Sequence, residues 1–272
     1  MDGRHSFKEQ ELAGWDAKAR AYDDYAGRIT LQIVERLLDA TSVVPGARLL
    51  DIACGPGYLA GAAAGRGAEA VGIDFAPSMV IEAQKNFPRA TFREGDAEAL
   101  PFEPERFDAV VCGFGIGHLP DPDKALREAF RVVRPGGRYA LSWWCTPDKH
   151  EFFALVMGAV KAHGTLDVAL PPAPSMFRFS EPAECERSLT NAGFSAVHVQ
   201  EYALHFELKS AQEALDLITK SSVRMAMVLE LQTKEALARI HNAILEGAQK
   251  YNRIEGFRIG WPALVASGKK PS

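Results

Sequence analysis

The stretch Leu49-Leu50-Asp51-Ile52-Ala53-Cys54-Gly55-Pro56-Gly57-Tyr58 decides the fold. Its apolar first half reads as a short strand. Its glycines read as a tight turn, because glycine adopts backbone conformations closed to other residues and lets a ligand approach the chain. The small residues from Tyr58 to about Ala64 predict a helix, whose first N–H groups have no partner within the helix. In an open parallel sheet, ligands bind at such a corner, outside the carboxyl ends of the strands. Gly55-x-Gly57-x-x-Ala60 also fits a dinucleotide fingerprint, so the glycines alone leave the ligand open, and a turn with no ligand is the plain alternative. Asp51 narrows the choice. It stands at the strand end, where its carboxylate would repel a diphosphate and suit a cation such as an ammonium group.

Working outward, two helical stretches open the chain, near 8–20 and 26–39; the second carries Ile29, Ile33, Val34, Leu37 and Leu38 at helical spacing. Pro45-Gly46 ends it. Beyond the turn come a strand at 68–74, a helix from Pro77 to about Phe87, and strands at 90–96 and 107–113. A helix follows from Asp121, with aspartate at its cap and Pro122 next. Pro135-Gly136-Gly137 is expected to stop it before a strand at 138–144. This alternation builds a parallel sheet between layers of helices, and the strands are apolar runs, as when both faces are buried.

The texture changes after about 145. A helix near 149–163 precedes a proline-rich stretch with Pro171, Pro172 and Pro174, and another spans 182–192. A strand pattern at 196–208, helices near 210–226 and 233–250, and a last strand at 257–269 complete the chain. Ser210 and Glu213 have capping-box spacing.

Composition excludes several classes. At 272 residues, with 47% hydrophobic and 24% charged, the chain can build a core without staples. Its 31 basic against 35 acidic residues give a net charge of −4, with none of the basic excess that nucleic-acid partners favour. There is no apolar run of membrane-spanning length and no signal-peptide pattern at the N-terminus. The four cysteines are too far apart for a Cys-x-x-Cys motif, so they read as buried free thiols of a cytoplasmic protein, with no metal.

Two more acids end strands. Asp74 is placed to accept hydrogen bonds from ribose hydroxyls, or to cap the helix after it. Asp96 follows Gly95 and can accept from an adenine amino group, or cap its own loop.

Residues about 45–145 resemble the class I S-adenosylmethionine-dependent methyltransferases, particularly the small-molecule branch (methyltransferase type 11) that includes the quinone-biosynthesis C-methyltransferases. The matching stretches are LLDIACGPG (49–57), VGIDFAPSMV (71–80) and EGDAEALPFEPERFDAVVCGFGIGHLPDPDKALREAFRVVRPGGRYALS (94–142). Gly117-His118 stand where the quinone enzymes carry an Arg-Asn pair. The resemblance implies an α/β fold: a Rossmann-like, seven-stranded, mostly parallel sheet with helices on both faces and an inserted helical cap. Strands six and seven would come from 196–208 and 257–269, with the last antiparallel. It divides the chain into an N-terminal helical lid (1–44), a cofactor-binding core (45–145), a helical and proline-rich cap with the sixth strand on the substrate side (146–255), and the final strand and tail (256–272).

The same resemblance assigns roles. Asp51, Gly55 and Gly57 hold the methionine end of S-adenosylmethionine. Asp74 takes the ribose, with Phe75 against the adenine and Asp96 and Ala97 contacting it. Phe114 and Gly115 face the methionine moiety and the reaction centre. His118, in the loop after the fourth strand, is the candidate base; a pocket-wall histidine is the alternative. Tyr22, Trp144, Arg178 and Met225 are candidates for the substrate pocket, Arg178 for an acidic substrate group or else a surface ion pair. His150, His163, His198, His205 and His241 are read as surface or packing residues. The expected activity is methyl transfer to a small, largely apolar molecule, with S-adenosylhomocysteine as product, by a monomer or homodimer. A protein binding S-adenosylmethionine without methyl transfer, and an NAD-dependent oxidoreductase resting on the glycine fingerprint, are the alternatives.

Overall fold

The computed structural model describes residues 3–254 and 256–272. The chain opens on α1 (Gly3–Lys18), α2 (Gly27–Thr30) and α3 (Val34–Ala40), the last two joined by a 3-10 turn. Then come β1 (Arg48–Ile52), α4 (Tyr58–Gly65), β2 (Glu69–Asp74), α5 (Pro77–Asn86), β3 (Thr91–Glu94), β4 (Phe107–Gly113), α6 (Pro122–Val132) and β5 (Val133–Trp144). The remainder runs α7 (Glu151–His163), α8 (Pro182–Asn191), β6 (Ser195–Tyr202), β7 (His205–Leu208), α9 (Ala211–Ser221), α10 (Arg224–Glu230), α11 (Lys234–Ala248), β8 (Asn252–Arg253), β9 (Gly256–Gly260) and β10 (Ala263–Lys269).

Seven strands form one sheet in the order β3-β2-β1-β4-β5-β10-β6. β10 is antiparallel to both neighbours, and the other pairings are parallel. Consecutive residues of β1 (Leu49–Ile52) and β4 (Ala109–Cys112) are buried, so helices cover both faces. Strand order reverses at β1, which lies between β2 and β4. The carboxyl ends of these three strands therefore open on a shared crevice. The glycine turn sits there. Gly55 and Gly57 have φ of +52° and +92°, and a Cβ on Gly57 would lie 2.8 Å from the Phe92 ring.

Several local expectations change. Pro135-Gly136-Gly137 does not stop α6. The helix ends at Val132 and Val133 is already extended, so the three residues lie inside β5; proline disfavours helical backbone at the residue before it. The 196–208 pattern is two strands in different sheets, β6 in the main one and β7 in a small antiparallel sheet, β7-β9-β8. The 257–269 pattern likewise splits into β9 and β10 at Trp261-Pro262, since proline has no N–H for a ladder. β9 (Gly256–Gly260) pairs with β7 and β8, and of the two β10 alone joins the main sheet. The 210–226 helix breaks at Ser222, whose hydroxyl accepts from Met225 N–H and starts α10. The capping box at Ser210 does not form: the Glu213 carboxylate takes the Arg28 guanidinium and the Lys209 N–H, both at 2.5 Å.

Candidate active site

Asp51 is 1% exposed at the end of β1. Its Oδ2 accepts from Ala60 N–H at 3.1 Å, while Oδ1 is buried with no hydrogen-bond partner. Burial, with Asp74 nearby, pushes its carboxyl up to about 8, against the pull of the Ala60 N–H. Such an orphaned oxygen fits a cationic donor arriving from the crevice. Gly55 completes the cradle. A Cβ there would meet nothing within 4 Å, so the turn leaves open space beside Asp51.

Asp74 ends β2. Its Oδ2 accepts from Gly55 N–H at 2.8 Å and its Oδ1 from Ala76 N–H at 2.9 Å. It therefore fastens the glycine turn to the second strand and also begins the approach to α5. Each oxygen keeps a further lone pair for hydroxyls. Burial pushes this carboxyl up to about 6, against its backbone hydrogen bonds. Phe75 packs with Ala76, Met79 and Trp15 on the crevice wall. Asp96 is more heavily engaged than its sequence position suggests. Lys8 on α1 pairs with its Oδ2 at 2.6 Å, and Glu98 N–H donates to its Oδ1 at 2.9 Å. Ala97 is buried beside it in the same groove as Asp74 and His118.

Beyond β4 the chain turns sharply. Phe114 has φ +56°, a left-handed conformation rare for an aromatic residue. Ser142 holds it, its carbonyl and hydroxyl both accepting Phe114 N–H at 3.2 Å, and the Phe114 ring stacks on Trp144 at 3.9 Å. Gly115 and a 3-10 turn then present His118. Gly117 is needed there, because a Cβ would lie 2.1 Å from the Trp143 ring. Phe114 and His118 border both the crevice and a second space, a cavity of about 120 Å³.

Aromatic rings wall this cavity: Trp15 and Tyr22 from the N-terminal segment, Trp143 and Trp144 from β5, Phe153 from α7, and Trp261 before β10. Tyr22, Trp144 and Met225 all line it, and so does Trp143 beside Trp144. Arg178 does not. Its guanidinium is bound by Asp123 at 2.6 and 2.9 Å, Glu184 at 2.7 Å and Ser188 at 3.1 Å, which leaves it tying α6 to α8 as an ion pair.

His150, Trp261 and Arg224 are among the lining residues that sequence did not single out. His150, expected to be a surface or packing residue, is buried against Trp144 and Trp261. Burial pushes it down to about 4, and its Nδ1 accepts from Phe153 N–H at 3.1 Å, so the neutral ring carries its proton on Nε2. Trp261 Nε1 and Arg224 Nη1 are buried without a hydrogen-bond partner. No spacing rule marks these side chains, which converge from distant elements. Among the described residues no group of three His, Cys, Asp or Glu side chains is placed to hold a metal, and no helix is long and apolar enough to cross a membrane.

Part of the chain is similar in sequence to known methyltransferases. Residues 50–141 match the family model described as a methyltransferase domain. The chain is 39% identical over 111 residues to a demethylmenaquinone methyltransferase of Renibacterium salmoninarum, covering 41% of this chain and 47% of that protein. It is 38% identical over 151 residues to the demethylmenaquinone methyltransferase of Beutenbergia cavernae, covering 53% and 62%. The chain thus spans about half to three-fifths of the curated relatives it matches. Among solved structures, a putative methyltransferase from Bacillus halodurans superposes with a TM-score of 0.56 at 20% identity, over 89% of this chain and 100% of that one. At that identity the likeness is one of fold.

Proposed function

We propose that this protein is an S-adenosylmethionine-dependent methyltransferase acting on a small, largely apolar acceptor. The observation that carries the proposal is the crevice acid Asp51, with one buried oxygen unpartnered, standing beside an aromatic-walled cavity. The match of residues 50–141 to a methyltransferase domain supports it from an independent side.

In this reading Asp51 and the open face of Gly55 receive the amino-acid end of the cofactor. Asp74 offers its remaining lone pairs to the ribose hydroxyls. Phe75, Asp96 and Ala97 border the adenine. The bound cofactor supplies an electrophilic methyl on a sulfonium. Phe114, which borders both spaces, and Gly115 in the crevice would face that methyl. The chain's own contribution is placement, since near-attack positioning alone contributes about 7–11 kcal/mol in favourable cases. Aromatic faces around a cation add attraction without adding a competing base. His118 is the candidate proton acceptor, and Tyr22, Trp144 and Met225 shape the acceptor pocket. The cytoplasm suits four buried free thiols.

Titration of the purified protein with S-adenosylmethionine, S-adenosylhomocysteine and NAD tests this, read as heat or as melting temperature. Ligand that binds the folded state raises its stability. Saturable binding of the first two and none of NAD is expected. Absence of S-adenosylmethionine binding would overturn the proposal.

A further inference from the structure

Glu11 has no part in the cofactor or acceptor contacts described above, yet it lies 1% exposed on α1. Its Oε2 accepts from Trp15 Nε1 at 3.0 Å and lies 2.9 Å from His118 Nδ1. The His118 ring sits edge-on between Trp15 and Trp143, with centroids 4.9 and 5.3 Å away. An ionised carboxylate only accepts, so it fixes the neutral imidazole as the Nδ1–H form. Nε2 is then a bare lone pair. The ring that carries it borders both the crevice and the aromatic cavity. Carboxylate, imidazole and cavity stand in the order that makes a histidine a directed proton acceptor.

The cavity wall narrows the acceptor. No Asp or Glu is among its described lining residues, which disfavours an ammonium. Arg224 lines it with a buried Nη1 that has no partner, which favours a group that becomes anionic. Flat rings fit between the aromatic walls.

We propose that Glu11 is a positioning residue that holds His118 as the proton acceptor for a hydroxyl on an aromatic ring, so that the methyl is transferred to oxygen; this rests on the methyltransferase reading. The hydroxyl proton goes to His118 Nε2. The oxygen uses the electron pair of its former O–H bond to form the O–CH3 bond. The S–CH3 bond breaks and its pair stays on the sulfur, which becomes a neutral thioether. Besides Glu11, the charged groups near the His118 ring are Asp74 at the end of β2 and the Lys8–Asp96 pair lining the same groove.

The test uses the full chain saturated with S-adenosylhomocysteine and histidine nitrogen NMR, with His118→Gln to identify the signal. The wild type is expected to carry the neutral-ring proton on Nδ1, and Glu11→Gln to redistribute it between the two nitrogens with S-adenosylhomocysteine affinity unchanged. A proton on Nε2 in the wild type overturns the proposal, and that measurement needs no variant at position 11 to fold. A tautomer indifferent to Glu11→Gln does the same. Failure of S-adenosylhomocysteine to bind at all is a different result, which removes the methyltransferase reading itself. For the acceptor class, catechol and benzylamine are offered with S-adenosylmethionine. The methyl ether of the catechol is the expected product, with Glu11→Gln lowering its rate about 10²- to 10⁴-fold. Transfer to benzylamine, or none to catechol, overturns the assignment to oxygen.

Discussion

At the scale of single residues, Asp51 and Asp74 both end strands of the same crevice yet do different things. Asp51 keeps one oxygen unpartnered, whereas Asp74 has a backbone N–H on each. Asp51→Asn keeps the shape and an acceptor for Ala60 N–H but cannot ionise against an arriving cation. It is expected to weaken S-adenosylmethionine by about 1.5–3 kcal/mol, the worth of a hydrogen bond to a charged group, and to leave the melting temperature unchanged or higher. Asp74→Ala is expected to weaken the ligand similarly and also to lower the melting temperature, because Gly55 and Ala76 lose their acceptor. Calorimetry with thermal melts separates the two. Equal melting temperatures for both variants would remove the fastening role of Asp74. Asp51, Gly55 and Gly57 were legible from local order alone, since a strand, turn and helix in sequence must place them at one corner. Glu11 was not legible. One acid among several on an amphipathic N-terminal helix carries no local mark, and its meaning comes from a histidine 107 positions away.

At the scale of elements, α1 matters most, because it brings Glu11, Trp15 and Lys8 to the crevice and cavity. Its seat is tight at Gly14, where a Cβ would lie 2.6 Å from a Val223 methyl. Gly14→Ala is expected to push α1 off the α9–α10 junction. Overpacking of this kind costs about 1–3 kcal/mol. Denaturant unfolding should show that loss together with weaker S-adenosylmethionine binding; a loss of stability with wild-type affinity would separate the helix from the site. The central βα elements were legible because each is a short apolar run with its own turn. The distal ones were less so. Pattern could not tell that 196–208 and 257–269 each divide between two sheets, since alternation looks the same whichever sheet a strand joins. The exchange of Arg178 for Arg224 as the cavity cation has the same origin: Arg178 is captured by Glu184 six residues on and by Asp123, which only tertiary packing brings near.

Over the whole molecule, the crevice acids set a pH dependence of stability. Asp51 is pushed up to about 8 and Asp74 to about 6, first by burial in each case. The unfolded chain releases such protons near about pH 3.9. Between these values the folded protein holds more protons than the unfolded one, so stability falls as pH rises. The contribution is full below about pH 4, is lost for Asp74 as pH passes 6 and for Asp51 as it passes 8. Thermal melts of the ligand-free protein should therefore decline from pH 5 toward pH 8. Asp51→Asn should flatten the upper part of that decline; an unaltered profile would show that Asp51 is already ionised in the folded state.

The sequence by itself determined the alternation of strands and helices, the glycine corner, and the acids that end β1 and β2. These are local facts: a turn needs its glycine, and a buried strand needs its apolar run, wherever the rest of the chain lies. Tertiary structure alone decided what surrounds the reacting space. The Glu11–His118 contact, the aromatic walls drawn from α1, β5, α7 and the approach to β10, and the unpartnered nitrogens of Arg224 and Trp261 join residues as far apart as Trp15 and Trp261. Their chemistry depends on distance and burial, and neither quantity is written in the order of the residues.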